Sequence, residues 1–267
     1  MKRSAFTLIE LLVVIAIIAL LLAMVQRIAR IAREETRATA CQANIKNLLT
    51  ELYLYDQAND TLPQGFWALR RPQPLGGYPG SPATDIPGWY WFNFTESVGE
   101  RSTHSTNILE CPAKNLANPR LQERILYGNY GINRSICRSS YDTAKYREAF
   151  SGPPLSIANV PQPSSTLLLV DSGFAVTCWW QARDDPLMDF AGGTLEDTAY
   201  IPGMKINKKR VLEQGQDDDA IWGRHPNKTV NVGYVDGHAA RSAADALMVE
   251  KTGQDEYRNR TPLWESP

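Results

Sequence analysis

Three groups of residues could do chemistry. Asp171, His225, Asp236 and His238 carry oxygen and nitrogen atoms that a divalent cation accepts. No spacing among them is distinctive for a metal, and Asp-Gly pairs ordinarily serve turns. The sequence therefore favours turn residues and two histidines in polar surface contacts over a metal centre. The four cysteines Cys41, Cys111, Cys137 and Cys178 are too few for a disulfide-built scaffold, and no pair has C-x-x-C spacing. A zinc ribbon or thioredoxin-like site is thereby disfavoured. In an oxidising compartment four thiols allow several pairings, among which sequence does not choose; a Cys41–Cys111 bridge would staple the amino-terminal region to the rest of the chain. The third candidate is Glu10, a carboxylate at the start of an apolar run. Such a group inside a bilayer-spanning helix costs about 2.5–3.5 kcal/mol and marks a functional position.

The elements that position these residues begin with the run itself. Residues 6–25 read FTLIELLVVIAIIALLLAMV, and from Leu11 to Val25 no polar residue interrupts. As a helix this stretch is about 30 Å long, the thickness of a bilayer's hydrocarbon layer. A cleaved secretory signal fits poorly, because the run is long and passes into Gln26-Arg27-Ile28-Ala29-Arg30 without a small-x-small site. A plain signal anchor leaves Glu10 unexplained. No Pro or Gly occurs between Phe6 and Thr61, so one helix is expected over residues 6–58, stopped near Asn59-Asp60-Thr61-Leu62-Pro63. Cys41, Ile45, Leu48, Leu49, Leu52 and Tyr55 form its core-facing stripe, thinly continued upstream by Ile28, Ile31 and Ala38. Arg27, Arg30, Arg33 and Arg37 lie roughly along one face, fit for lipid phosphates, acidic neighbours or water.

Beyond the helix, residues 72–88 hold five Pro and four Gly and read as a loop. Trp89-Tyr90-Trp91-Phe92-Asn93-Phe94 could stack sugars, but a strand or packing cluster is the stronger reading. Leu167-Leu168-Leu169-Val170-Asp171 has the form of a buried strand. Val230, Val232 and Tyr234 alternate ahead of Asp236-Gly237, which predicts a β-hairpin with a two-residue turn at the edge of a small antiparallel sheet. Lys plus Arg is 28 against 29 for Asp plus Glu, so nothing suggests a nucleic-acid partner. Seven Trp, seven Phe and eleven Tyr require a folded interior. G-x-S-x-G, H-E-x-x-H, Walker A and dinucleotide fingerprints are absent, so no enzyme is expected.

The segment Lys2-Arg3-Ser4-Ala5-Phe6-Thr7-Leu8-Ile9-Glu10 resembles the processing site of type IV pilins and type II secretion pseudopilins. Cys41-Gln42-Ala43-Asn44-Ile45-Lys46-Asn47-Leu48, with Tyr53 and Tyr55, is similar to the "C-x-x-N-L-K" and following "Y" region of bacterial pilin-like proteins. The resemblance implies cleavage by prepilin peptidase between Ala5 and Phe6, in a position where the family usually has Gly before the cut, and N-methylation of Phe6. Glu10 would become the fifth mature residue, facing a neighbouring subunit's amino terminus in a filament. The head resembles a subgroup ending in a processing-associated region with a His, nine residues, then Asp-Gly; here ten residues separate His225 from Asp236-Gly237.

The resemblance implies an α+β lollipop: leader 1–5, transmembrane and assembly helix 6–58, and a head 59–267 on a small antiparallel sheet with its hairpin region at 224–242. The implied function is a non-enzymatic subunit of a type IV pilus or type II secretion-like filament. Its partners would be prepilin peptidase, other pilin-like subunits, the inner-membrane assembly machinery and membrane lipid. No cofactor is implied, although calcium occupies some pseudopilin heads. The implied location is the inner membrane, amino terminus cytoplasmic and head outside, against a naive positive-inside count of the arginines after the span. The rival reading is a membrane-anchored extracytoplasmic hydrolase or carbohydrate-binding domain.

Overall fold

The amino-terminal part of the chain is one unbroken helix, α1, Leu8–Asn59. The computed structural model describes residues 8–67, 89–94, 108–139, 150–184, 199–210, 212–253, 257–258 and 264. The helix ends where the sequence places its stop signals. Asp60 takes the left-handed conformation, φ 58°, and its N–H donates to the Asp56 carbonyl at 2.8 Å. Leu62 then enters the core, its N–H bonded to Leu155 O at 3.0 Å.

Burial along α1 begins at Ala38 and continues through Cys41, Ile45, Leu48, Leu49 and Leu52. Tyr55 is only half-buried; of the thinner upstream stripe Ala38 meets the head, whereas Ile28 and Ile31 are exposed. Among the described residues, Arg241 is the head's contact this far up the helix, a polar pair with Glu35 rather than apolar cover.

A five-stranded sheet carries the head, in the order β5-β3-β4-β6-β7. Its strands are β3 (Tyr130–Asn133), β4 (Leu167–Asp171), β5 (Val176–Thr177), β6 (Thr229–Tyr234) and β7 (Ala239–Ala243). All neighbouring pairs are antiparallel except β3 with β5. The short pairs β1 (Phe66–Trp67) with β2 (Trp89–Tyr90), and β8 (Glu250–Lys251) with β9 (Tyr257–Arg258), stand outside this sheet.

The continuous apolar run of β4 is buried throughout, as a central strand covered on both faces must be. Leu168 and Leu169 join the core under α1, whereas Leu167 and Val170 join a second cluster with Trp179, Trp180 and Trp264. A register shift against β6 between Leu167 and Leu169 accompanies this break in strict alternation. In β6 the alternation is clean: Val230, Val232 and Tyr234 point to the second cluster. Asn231 and Gly233 are left to face the helix.

Gly233 is where α1 comes closest. A Cβ there would lie 2.7 Å from Ile45 Cγ2 and 2.9 Å from Leu49 Cδ1. Polar bonds fix the helix on the hairpin at several levels. Arg241 Nη1 pairs with Glu35 at 2.6 Å, Gln42 Nε2 donates to Ala239 O at 2.9 Å, and Tyr53 Oη donates to Val235 O at 2.7 Å. The result is the α+β lollipop, a long helix whose second half packs on a mainly antiparallel sheet.

Candidate functional site

From Leu8 to Arg37 no residue of α1 is buried. The apolar side chains of its first turns are exposed on all sides of the helix, with Leu8 at 78% and Leu22 at 54%. A helix apolar all round needs an apolar surrounding, and this one is long and apolar enough to cross a bilayer. Glu10 sits in its first turn, on the exposed surface. Arg30 pairs with Glu34 one turn on, at 3.0 Å and in the open, a contact that contributes little in water.

A second constellation is buried where α1 enters the head. Cys41 of the helix is joined to Cys111 in a disulfide, Cα–Cα 5.2 Å. Beside it lies the buried side chain of His225, with Nε2 3.9 Å from Cys111 Sγ and 3.0 Å from Asp171 Oδ2. Asp171 stands at the end of β4 and accepts the Asn231 N–H of β6 at 2.6 Å. The Asn231 side chain links the group back to the helix, donating from Nδ2 to Ala38 O at 3.2 Å while lying 3.1 Å from His225 Nε2. Burial alone would raise the Asp171 carboxyl, but the His225 ring, Arg224 and the Asn231 amide together hold it below its ordinary value.

Arg224 anchors the same corner. Its guanidinium forms a bidentate pair with Asp219, at 3.0 and 2.6 Å, and donates to the carbonyls of Gly128, Asn129 and Ser172. Tyr200 Oη completes the pair by donating to Asp219 Oδ2 at 2.7 Å. Both charged side chains are 1% exposed, so this is a desolvated ion pair with its hydrogen-bonding capacity used on backbone.

Residues 1–25 match the prokaryotic N-terminal methylation motif. The match supports the type IV pilin-like family and a chain processed by prepilin peptidase, which implies assembly with other pilin subunits. The long apolar helix fits the single-pass anchor of such pilin-like proteins. No curated protein and no solved structure matches the chain.

Within this architecture the four metal candidates separate into two pairs. Asp171 and His225 meet in the core, whereas Asp236 and His238 meet each other at 2.5 Å at the partly exposed hairpin tip. The two pairs lie at opposite ends of β6, about 17 Å apart at 3.3 Å per residue. They do not form one centre. His225 is also no surface residue: it is 4% exposed, because Asp171 and Asn231 give its ring polar contacts inside. His238 alone matches the surface reading, stacked on Tyr234 with centroids 4.1 Å apart.

The hairpin turn is longer than two residues. Tyr234 N donates to His238 O and Gly237 N to Tyr234 O, enclosing residues 235–237. Gly237 takes φ 88°, the left-handed residue of a three-residue connection. Tyr90, Trp91 and Phe92 are buried and packed on one another, with Trp91 Nε1 donating to Ala175 O. They are a packing cluster and offer no sugar-stacking face. The processing residues Ala5 and Phe6 and the loop 72–88 lie outside the described residues.

Sequence reasoning missed Asp56, Asp219 and Arg224. Asp56, on the buried side of α1, accepts the Ile157 N–H at 3.1 Å and the Ser156 hydroxyl at 3.3 Å. Its position four residues after Leu52, on the core stripe, was the available signal.

Proposed function

We propose that the chain is a non-enzymatic pilin-like subunit of a type IV pilus or type II secretion-like filament. In this reading prepilin peptidase cuts between Ala5 and Phe6 and methylates Phe6. The observation that carries the reading is the methylation motif over residues 1–25 together with a helix in which none of the residues from Leu8 to Arg37 is buried. An apolar rod left unburied by the described residues is suited to lipid before assembly and to neighbouring rods afterwards. Glu10 at the fifth mature position would compensate the freed amino terminus of an adjacent subunit, which offsets the cost of a carboxylate in lipid and sets the register of stacking.

The head faces the oxidising side of the inner membrane, a compartment in which the Cys41–Cys111 disulfide is stable. The carboxyl-terminal region is the His-x9-Asp-Gly type with one extra residue. His225 supports this by its place in the core, and Gly237 by a turn where a Cβ would meet Tyr53 at 3.2 Å. Glu10→Ala tests the reading. The variant is expected to be membrane-inserted and cleaved yet missing from sheared filaments, whereas normal incorporation would refute the role of Glu10.

A further inference from the structure

The buried corner between α1 and the sheet collects electron-pair donors in a way that the disulfide alone does not explain. One sulfur each of Cys41 and Cys111, a carboxylate oxygen of Asp171 and a ring nitrogen of His225 all lie within 4.8 Å of one another, and all four residues are buried. Three further polar atoms in this corner, Asp171 Oδ1, His225 Nδ1 and Asn231 Oδ1, have no hydrogen-bond partner among the described residues.

The contacts of His225 Nε2 are in conflict with one another. It lies 3.0 Å from a carboxylate oxygen, which asks it to donate, and 3.1 Å from the Asn231 amide nitrogen, which asks it to accept. A proton on Nε2 satisfies the first contact and opposes the second; without one the reverse holds. A cation at the centre of the cluster would take the lone pairs of the ring nitrogen and the carboxylate oxygen together, and would leave the Asn231 amide to its bond with Ala38 O.

We propose that the dithiol form of Cys41 and Cys111 binds one Zn2+ ion, with His225 Nε2 and an Asp171 oxygen as the other two ligands. Two thiolates, an imidazole and a carboxylate make a four-ligand set that zinc accepts in tetrahedral geometry, at about 2.3 Å to sulfur and about 2.0–2.2 Å to nitrogen and oxygen. Thiolate ligands disfavour calcium and magnesium, which take oxygen. The Asn231 N–H bonded to Asp171 Oδ2 is the outer support that a ligating carboxylate commonly has.

The ligands come from four separate segments: the middle of α1, the loop at Cys111, the end of β4 and the entry to β6. Zinc would therefore draw the helix onto the head before any sulfur–sulfur bond exists. Binding releases the two thiol protons. Exchange with a disulfide donor then forms the Cys41–Cys111 bond, reduces the donor to two thiolates and frees the ion. Metal and disulfide are alternative closures of the same corner.

The test uses the full chain in detergent, reduced and handled without oxygen, titrated with Co2+ as a spectroscopic substitute for Zn2+. Expected are one equivalent of tetrahedral cobalt with a thiolate charge-transfer band, displacement by Zn2+, and no band in the oxidised chain. The band should survive Cys137→Ser with Cys178→Ser and vanish in Cys41→Ser with Cys111→Ser. His225→Gln and Asp171→Asn should each weaken binding at least about tenfold. Absence of the band in the reduced chain overturns the proposal, as does its persistence without Cys41 and Cys111, or undiminished affinity in both ligand variants. Should a variant fail to fold, alkylation of the wild-type chain decides: stoichiometric Zn2+ must protect Cys41 and Cys111, and unprotected labelling refutes the site.

Discussion

Removing the Cys41–Cys111 bond tests how the helix is tied to the head. The bond closes a segment of sequence separation 70. In the chain-entropy treatment a loop of that size contributes about 4 kcal/mol by restricting the unfolded chain. The Cys41→Ala, Cys111→Ala chain should still fold, because Ile45, Leu48, Leu49 and Leu52 remain fully buried against the sheet. For a head of this size each kcal/mol moves the melting temperature by about 2–4 °C, so a drop on the order of 10 °C is expected. The assay is thermal unfolding of the full chain in detergent, observed by near-ultraviolet circular dichroism of the buried tryptophans, with a chelator present. Reducing the wild-type chain under the same conditions should give a comparable drop. A shift below about 2 °C in both experiments would refute the reasoning, since the helix would then be held without help from the crosslink.

Two further perturbations probe the same junction. Gly233→Ala places a methyl within 2.7–2.9 Å of Ile45 and Leu49, and should destabilise the head by about 1–3 kcal/mol in denaturant unfolding; an unchanged midpoint would mean that α1 is not seated there. Asp171 is held below its ordinary carboxylate value in the folded chain, so it adds stability that is present above about pH 4 and lost as the pH falls through the folded value. Asp171→Asn should therefore melt earlier than wild type at neutral pH, with the gap narrowing in acid. A gap that stays constant from about pH 7 to about pH 3 would contradict that assignment.

Much of the frame was legible because its signals are local. A breaker-free run of more than fifty residues, ended by Asn59-Asp60 and Pro63, makes a helix regardless of the head that packs on it. The apolar run of β4 and the alternation of β6 likewise announce their burial. The hairpin was visible but its turn was misjudged, because Asp-Gly suits both a two-residue turn and the end of a three-residue one. His225 shows why the buried corner was not legible. Its partners Asp171 and Asn231 come from different strands, and the disulfide beside it spans helix and loop, so no spacing in the sequence records their meeting. Asp56 and Arg224 were hidden for a related reason. A charged residue reads as solvated until the backbone groups that it satisfies, Ile157 N–H for one and three carbonyls for the other, are folded around it.

Cleavage before Phe6 and methylation of the new amino terminus are the proposed steps on which membership of a filament depends. Intact mass spectrometry of the protein from its native membrane reads this directly. Expected is an amino terminus at Phe6 bearing one added methyl group, with residues 1–5 gone. A functional chain that still begins with Met1, or begins at Phe6 without the methyl, would contradict it.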